Sequence, residues 1–165
     1  MSARGYYNRS NAFSDMSADA PLLGRLIRGE RIAHLATLRA GAPMASMTLY
    51  LPAADFSSFY VHVSRLAWHT QDMSHDARVA LSIAETDDAR ADPFTLTRVS
   101  IRGDATQISD GPKEAWLERF PEQAINFELA DFSFWKIVPR DARFVAGFGR
   151  IHNLSAAELA ACSKS

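Results

Sequence analysis

Residues 61–73 read VHVSRLAWHTQDM, and this stretch joins a short apolar strand to a helix. The strand pattern ends at Ser64 and a helical pattern begins within two residues, so a hydroxyl, the Arg65 guanidinium and free backbone N–H groups meet at a helix N-terminus. Such a junction suits a phosphate, which Arg65 can bind bidentately while Ser64 and Thr70 donate hydroxyls. The alternative is structural: Ser64 caps the helix and Arg65 is a solvated surface charge.

On both sides of this junction the sequence predicts a mainly β domain with short flanking helices. β-like runs bounded by glycine and proline predict six strands, at residues 32–38, 44–51, 58–63, 79–84, 97–108 and 133–145. Six strands fit one small antiparallel barrel, and short turns after the first two strands predict a meander of the first three. Apolar spacing predicts helices at 21–29, with Asp19 as a possible cap, at 66–75 and 112–120, and after Leu154 with Ser155 as a cap.

Length and charge limit the domain count and the partners. The 165 residues are enough for one domain, which we expect at 18–165 after a flexible segment at 1–17. Lys and Arg number 18 against 19 Asp and Glu, so no basic field predicts binding to nucleic acid or to an anionic membrane. The single cysteine, Cys162, excludes an internal disulfide, and no signal peptide or membrane span is recognisable. We therefore expect a cytoplasmic protein.

Common catalytic motifs are missing from the sequence. It contains no G-x-S-x-G, GxxxxGK[ST], G-x-G-x-x-G or H-E-x-x-H, which leaves hydrolase, nucleoside-triphosphatase, dinucleotide-binding and zinc-protease functions without support. The five histidines are isolated from one another, so no metal site is predicted. The sequence alone identifies no catalytic acid or base.

The quoted stretch also carries a family resemblance. SRLAWHTQDM at 64–73, followed by DARVALSI at 76–83, resembles the SRLAxHTxNL…DPRVSLLI stretch of the pyridoxamine 5′-phosphate oxidase-like, FMN-binding split-barrel proteins. Three further pieces follow in the family's order: IAHLATL at 32–38 with GAPMAS at 41–46, DP to RVSIRG at 92–103, and GFGR at 147–150. The resemblance implies a six-stranded Greek-key split β-barrel, a homodimer, and FMN in a groove shared by the two subunits.

The resemblance also assigns cofactor-binding residues. Ser64 and Arg65 would hold the FMN phosphate, with His69 and Thr70 beside it, and Arg98 would approach the cofactor from a partner-facing strand. The second strand would run along the isoalloxazine ring with Ser46, Met47, Thr48 and Leu49. Basic residues that true pyridoxamine phosphate oxidases carry near Ser46, near Leu51 and at Leu66 are absent. The implied function is thus an FMN-dependent oxidoreductase whose small-molecule substrate stays open.

A haem-related function remains as the alternative on the same fold. DFSFW at 131–135 and GFGRIH at 147–152 resemble the haem-utilisation branch, whose members bind haem at the dimer surface through a histidine near the C-terminus and in some cases degrade it. His152 is then a candidate axial ligand, because neutral imidazole is the usual proximal donor to haem iron. Arg98 and His69 could pair with the propionates. The structural alternative for His152 is a surface histidine in a loop, and a non-catalytic cofactor carrier is a third function.

Overall fold

Eight strands and four α-helices account for most of residues 9–165, whose backbone a computed structural model describes, with side chains described from Met16 onward. The strands are β1 (Ile32–Arg39), β2 (Ala42–Leu49), β3 (Leu51–Pro52), β4 (Phe59–Ser64), β5 (Arg78–Ala84), β6 (Arg98–Ile108), β7 (Phe132–Val145) and β8 (Ile151–Ser155). The helices are α1 (Arg9–Gly29), α2 (Trp68–His75), α3 (Lys113–Arg119) and α4 (Ala156–Ala161), and 3₁₀ helices span Pro93–Thr95, Pro121–Glu128 and Cys162–Lys164.

The strands form one antiparallel sheet that curls on itself. Seven of them follow the order β2-β1-β5-β6-β7-β4-β3, and β8 pairs with β7 outside this order. β2 and β3 lie at opposite ends of the order, although only Tyr50 separates them along the chain. The bent segment at residues 42–52 therefore supplies both end strands of the sheet. This bend closes the sheet into a split barrel. β6 bends as well, because its register on β7 shifts between Arg102 and Gly103.

The predicted fold class, a mainly β split barrel with short flanking helices, is confirmed, but two details are wrong. The main path holds seven strands rather than six, since the short β3 was not predicted, and β8 adds a further strand. The predicted meander of the first three strands is also wrong, because β4 pairs with β7 and β3 rather than with β2. Tyr50 is buried and its hydroxyl donates to the Ile27 carbonyl at 2.7 Å, which turns the chain away from the hairpin at this residue.

Helix α1 packs its apolar side onto the barrel. Leu23 and Ile27 are fully buried there, and the helix begins at Arg9 rather than near Pro21. Asp19 therefore lies inside the helix and does not cap it. Residues 1–8 lie outside the described residues, and the flexibility of the 1–17 segment stays a prediction. Among the described residues, none of the helices is both long and apolar enough to cross a membrane.

A second, smaller aromatic cluster lies outside the main core. We name it the α3 cluster: Trp116 and Phe120 of α3 pack on Phe134 of β7, and Phe127 of the following 3₁₀ helix packs against them. The main core instead holds the inward side chains of the strands, such as Val61. β4 and β7 are neighbours in the sheet. The α3 cluster therefore covers the outer face of these two strands, close to the point where β4 leads into α2.

Candidate functional site

The β4–α2 junction uses most of its hydrogen-bond donors inside the fold. The Ser64 hydroxyl donates to the Asp131 carboxylate and accepts from the Leu66 N–H at 3.1 Å. The Arg65 N–H donates to the Asp131 carbonyl at 2.7 Å. Asp131 precedes β7, so the antiparallel pairing of β4 with β7 brings it here. Asp131 therefore satisfies two of the groups that the sequence suggested for a phosphate, the Ser64 hydroxyl and the Arg65 N–H.

Three further polar groups at the junction have no partner in the described part of the chain. The Arg65 guanidinium is exposed and makes no hydrogen bond or ion pair there. Thr70 is 3% exposed, and its Oγ1, like Nε2 of His69, is buried without a hydrogen-bond partner. A buried polar atom left unpaired costs about 1–3 kcal/mol, which a bound water or ligand oxygen would offset. Burial lowers the pKa of His69, with a smaller opposing effect from Asp72, so the imidazole stays neutral near pH 7.

Helix α2 is fixed to the first hairpin through a buried carboxylate. Asp72 accepts hydrogen bonds from Thr37 Oγ1 at 2.8 Å and from Arg39 Nη1 at 2.9 Å. The Arg39 guanidinium lies 4.2 Å from the ring centroid of Trp68, a cation–π contact. These contacts hold the junction beside β1 and β2.

The second-strand residues alternate between the two faces of β2. Met47 points outward and is 63% exposed, whereas Thr48 is buried and its hydroxyl donates to the Leu49 carbonyl at 3.0 Å. Ser46 and Leu49 are intermediate in exposure. β2 pairs only with β1 over these residues, so in the described chain its other edge is free for a ligand or a second chain.

Arg98 lies apart from the junction within one chain. It pairs with Val145 on β7, whereas Ser64 pairs with Phe132 at the opposite end of that strand, which corresponds to about 40 Å of extended backbone. The Arg98 Nη1 donates to the carbonyls of Leu96 at 3.0 Å and Phe94 at 3.3 Å. The structure thus groups Ser64 with Arg65, His69 and Thr70, but it does not bring Arg98 to them.

His152 lies in β8, not in a surface loop. It is 6% exposed, its ring stacks on Phe144 with centroids 6.0 Å apart, and its Nε2 lies 2.9 Å from Asp19 Oδ2. Asp19 also accepts from Arg150 Nη1 at 2.5 Å. One buried carboxylate of α1 therefore holds two residues of the GFGRIH stretch, and iron ligation by His152 Nε2 would require the bond to Asp19 to break.

Sequence reasoning missed the aromatic surroundings of His62. Its ring stacks on Phe127 at 4.2 Å and lies 4.6 Å from Phe134 and 5.9 Å from Trp116, measured between ring centroids. Nδ1 of His62 is buried without a partner, and burial lowers the pKa of His62. The sequence showed only an outward position on an apolar strand, because the rings come from residues far along the chain.

The lowered pKa of His62 predicts a loss of stability in acid. Below about pH 6.5 the unfolded chain protonates His62 more readily than the folded chain does, so the free energy of unfolding falls as the pH decreases. His69 contributes with the same sign. We expect His62→Phe to reduce the difference in unfolding free energy between about pH 7.5 and about pH 5, measured by denaturant titration. A variant with the wild-type pH dependence would contradict this prediction, and His62→Phe combined with His69→Gln should flatten the profile further.

The curled antiparallel sheet, whose two ends are joined through the bend at Tyr50, has the architecture of a split β-barrel. Residues 22–146 match the family model described as Pyridoxamine 5'-phosphate oxidase, and the chain belongs to that family. This confirms the resemblance that the SRLAWHTQDM stretch carries.

Similar proteins include several whose names refer to haem. The chloroplastic heme oxygenase HOZ of Arabidopsis thaliana is 33% identical over 111 residues, 65% of this chain and 33% of that protein. A heme binding protein from Mycobacterium smegmatis is 27% identical with a TM-score of 0.75, over 86% of this chain and 60% of that one. HutZ, the heme storage protein of Vibrio cholerae, shares the fold at 21% identity and a TM-score of 0.53, over 68% of this chain and 84% of that one. The chain spans about a third of the length of the curated relative.

Proposed function

We propose that this chain binds haem and that its function is of the same kind as that of the haem-handling members of its family. The observation that carries the proposal is the position of the Asp131 carboxylate in the β4–α2 junction. A flavin phosphate bears a charge of about −1.5 to −2 near pH 7 and would meet this carboxylate, with Arg65 as the nearby cation. Haem bears two propionates instead, and Arg98, which lies apart from this junction, could pair with one of them, so Asp131 is no obstacle to haem. The names of the Arabidopsis and mycobacterial relatives support the same choice.

The proposal is tested by titrating the purified chain separately with haem, FMN and riboflavin. We expect haem to give a shifted Soret band that saturates, with FMN fluorescence almost unchanged at the same protein concentration. Tight binding of FMN without any change in the Soret band of added haem would overturn the proposal. When bound, haem supplies the iron for redox chemistry, and the protein holds and orients it.

FMN is the second candidate, and the unpartnered groups at the junction favour it. Arg65 could pair with the phosphate, and Thr70 Oγ1 could donate to it. In this arrangement Ser64 and His69 complete the phosphate site, and Arg98 comes from a second subunit. The ring would lie along Ser46, Met47, Thr48 and Leu49. This candidate corresponds to an oxidoreductase acting on a small molecule.

Two variants distinguish an FMN phosphate site from a structural junction. If FMN binds here, Arg65→Ala should weaken it by about 2–3 kcal/mol, whereas Asp131→Asn should strengthen it by removing a like charge. Riboflavin, which has no phosphate, should bind both variants as it binds the wild type. Asp104→Asn, which changes a carboxylate paired with Arg140, is the matched control. Equal changes for FMN and riboflavin, measured by fluorescence titration, would contradict a phosphate site.

We also propose a homodimer. The outward side chains of the first hairpin include the exposed Met47 and Ile32, next to the open edge of β2. The outward face of β6 and β7 instead carries exposed charges, such as Arg102 and Asp141, which a second copy would have to remove from water. The open edge of β2, which pairs with no further strand in the described chain, is therefore the better place for a second copy, and the outward face of β1 stays accessible. Light scattering at micromolar concentration should give the mass of a dimer, and a monomer would contradict the proposal.

A further inference from the structure

We propose that His34 of β1 is the residue that ligates the haem iron. This inference rests on the proposed haem function and assigns the ligand within it. His34 thus replaces His152, the ligand that the sequence suggested, because the two residues have different surroundings.

Three of the other four histidines are poorly placed to reach an iron, whereas the fourth, His75, is exposed. His152 is only 6% exposed, with its Nε2 against Asp19, and the ring of His62 is stacked among aromatic side chains. Nε2 of His69 is buried. His75 is exposed and its Nδ1 lies 2.7 Å from the Gln71 carbonyl, which leaves Nε2 free. His34 is exposed, and neither of its ring nitrogens has a hydrogen-bond partner in the described chain.

The outward surface around His34 bears small or apolar side chains. Ala33 and Leu35 are buried, so His34 projects outward from β1. Its cross-strand neighbours are Met47 on β2 and Ser82 on β5. The next outward positions hold mostly small side chains: Ala36, Ala45, Ala80 and Ser100. A planar macrocycle bound through the imidazole would lie parallel to this sheet, with no bulky side chain on the β5 side to obstruct it.

Met47 and Ile32 add apolar contact on the same face. They are 63% and 46% exposed, and burying a thioether or an aliphatic side chain against a macrocycle removes that area from water. His75 lacks such surroundings, because its neighbours Gln71 and Ser74 are exposed polar residues. The apolar platform therefore favours His34 over the other exposed histidine.

A cation lies at a suitable distance for the carboxylates of the macrocycle. Arg98 is on β6, two strands from β1, which is about 10 Å across the sheet. It is two residues from Ser100 and therefore shares the outward face of His34. Its Nη1 is held by two loop carbonyls, and its Nε and Nη2 make no hydrogen bond within the described residues. Arg98 can thus pair with a propionate without breaking an existing ion pair.

The test compares His34→Ala with His75→Ala, a matched exposed histidine. Both variants and the wild type are titrated with ferric haem, and the Soret band and the electron paramagnetic resonance spectrum are recorded. We expect the wild type and His75→Ala to show imidazole ligation. His34→Ala should lose that spectrum and bind haem about tenfold more weakly or worse, and added free imidazole should restore the wild-type spectrum. Because His34 is exposed, circular dichroism should show an unchanged fold.

The other outcomes of this experiment contradict either the assignment of His34 as the ligand or haem binding itself. A wild-type spectrum and affinity in His34→Ala would overturn the assignment of the ligand and leave haem binding intact. Loss of the imidazole spectrum in His75→Ala would transfer the ligand to α2. A wild type that binds no haem would overturn both the ligand and the proposed function.

Discussion

Replacing Trp116 with alanine is expected to lower the free energy of unfolding by about 3–5 kcal/mol. The side chain is 1% exposed, and its ring lies 4.8 Å from Phe120 and 5.6 Å from Phe134 between centroids. Alanine would leave a cavity that these rings cannot refill without moving α3 off the sheet. Domains of this size are stable by about 5–15 kcal/mol, so the loss is a large fraction of the total. Denaturant unfolding followed by circular dichroism measures it.

Two further tryptophan variants make this prediction specific. Trp116→Phe should cost less than Trp116→Ala, because phenylalanine keeps most of the ring and removes an Nε1 that is buried without a partner. Trp68→Ala, at an exposed site on α2 where the ring contacts Arg39, should cost about 1 kcal/mol or less. If Trp68→Ala proved as costly as Trp116→Ala, the α3 cluster would not be the stabilising feature.

The second large effect is expected from Asp19→Ala, with a loss of about 3 kcal/mol. The Asp19 carboxylate is buried and accepts from Arg150 Nη1 at 2.5 Å and from His152 Nε2 at 2.9 Å. Its removal leaves the buried His152 without a partner and detaches α1 from β8. We place the loss at the low end of the range for buried pairs, because the Arg150 side chain is half exposed.

A double-mutant cycle isolates the interaction between Asp19 and His152. Asp19→Ala and His152→Ala together should cost less than the sum of the single losses, because each single variant already breaks the same hydrogen bond. Asp19→Asn keeps the shape and one acceptor oxygen, so its loss should be smaller than that of Asp19→Ala. Strict additivity in thermal and denaturant unfolding would show that the Asp19 and His152 side chains do not depend on each other.

The fold was predictable where local pattern and burial agree. β4 alternates buried Phe59, Val61 and Val63 with less buried residues, so its period of two was visible in the sequence. The cap at Ser155 is confirmed: Ser155 and Glu158 form a reciprocal capping box that begins α4. In both places the chain needs only neighbouring residues to define its structure.

The remaining features depend on contacts between residues far apart in the sequence. Asp131 meets Ser64 across a separation of 67 residues, and Asp19 meets His152 across 133. No local pattern shows such contacts, so the sequence could not reveal that Ser64 is bonded to Asp131 or that His152 lies buried in a strand rather than in a loop. β8 was missed because it is only five residues long and follows a loop with Gly147 and Gly149 at positive φ.

The bend at Tyr50 also links the strand registers at the two ends of the sheet. β2 is aligned on β1 by eight residue pairs and β3 on β4 by two, and a single residue lies between these alignments. A slip of one residue in the first hairpin would exchange the inward and outward side chains of β2, and Tyr50 would have to leave its buried position to accommodate it. The barrel can therefore close in one alignment, and the outward position of Met47 beside His34 is set by contacts at both ends of the sheet.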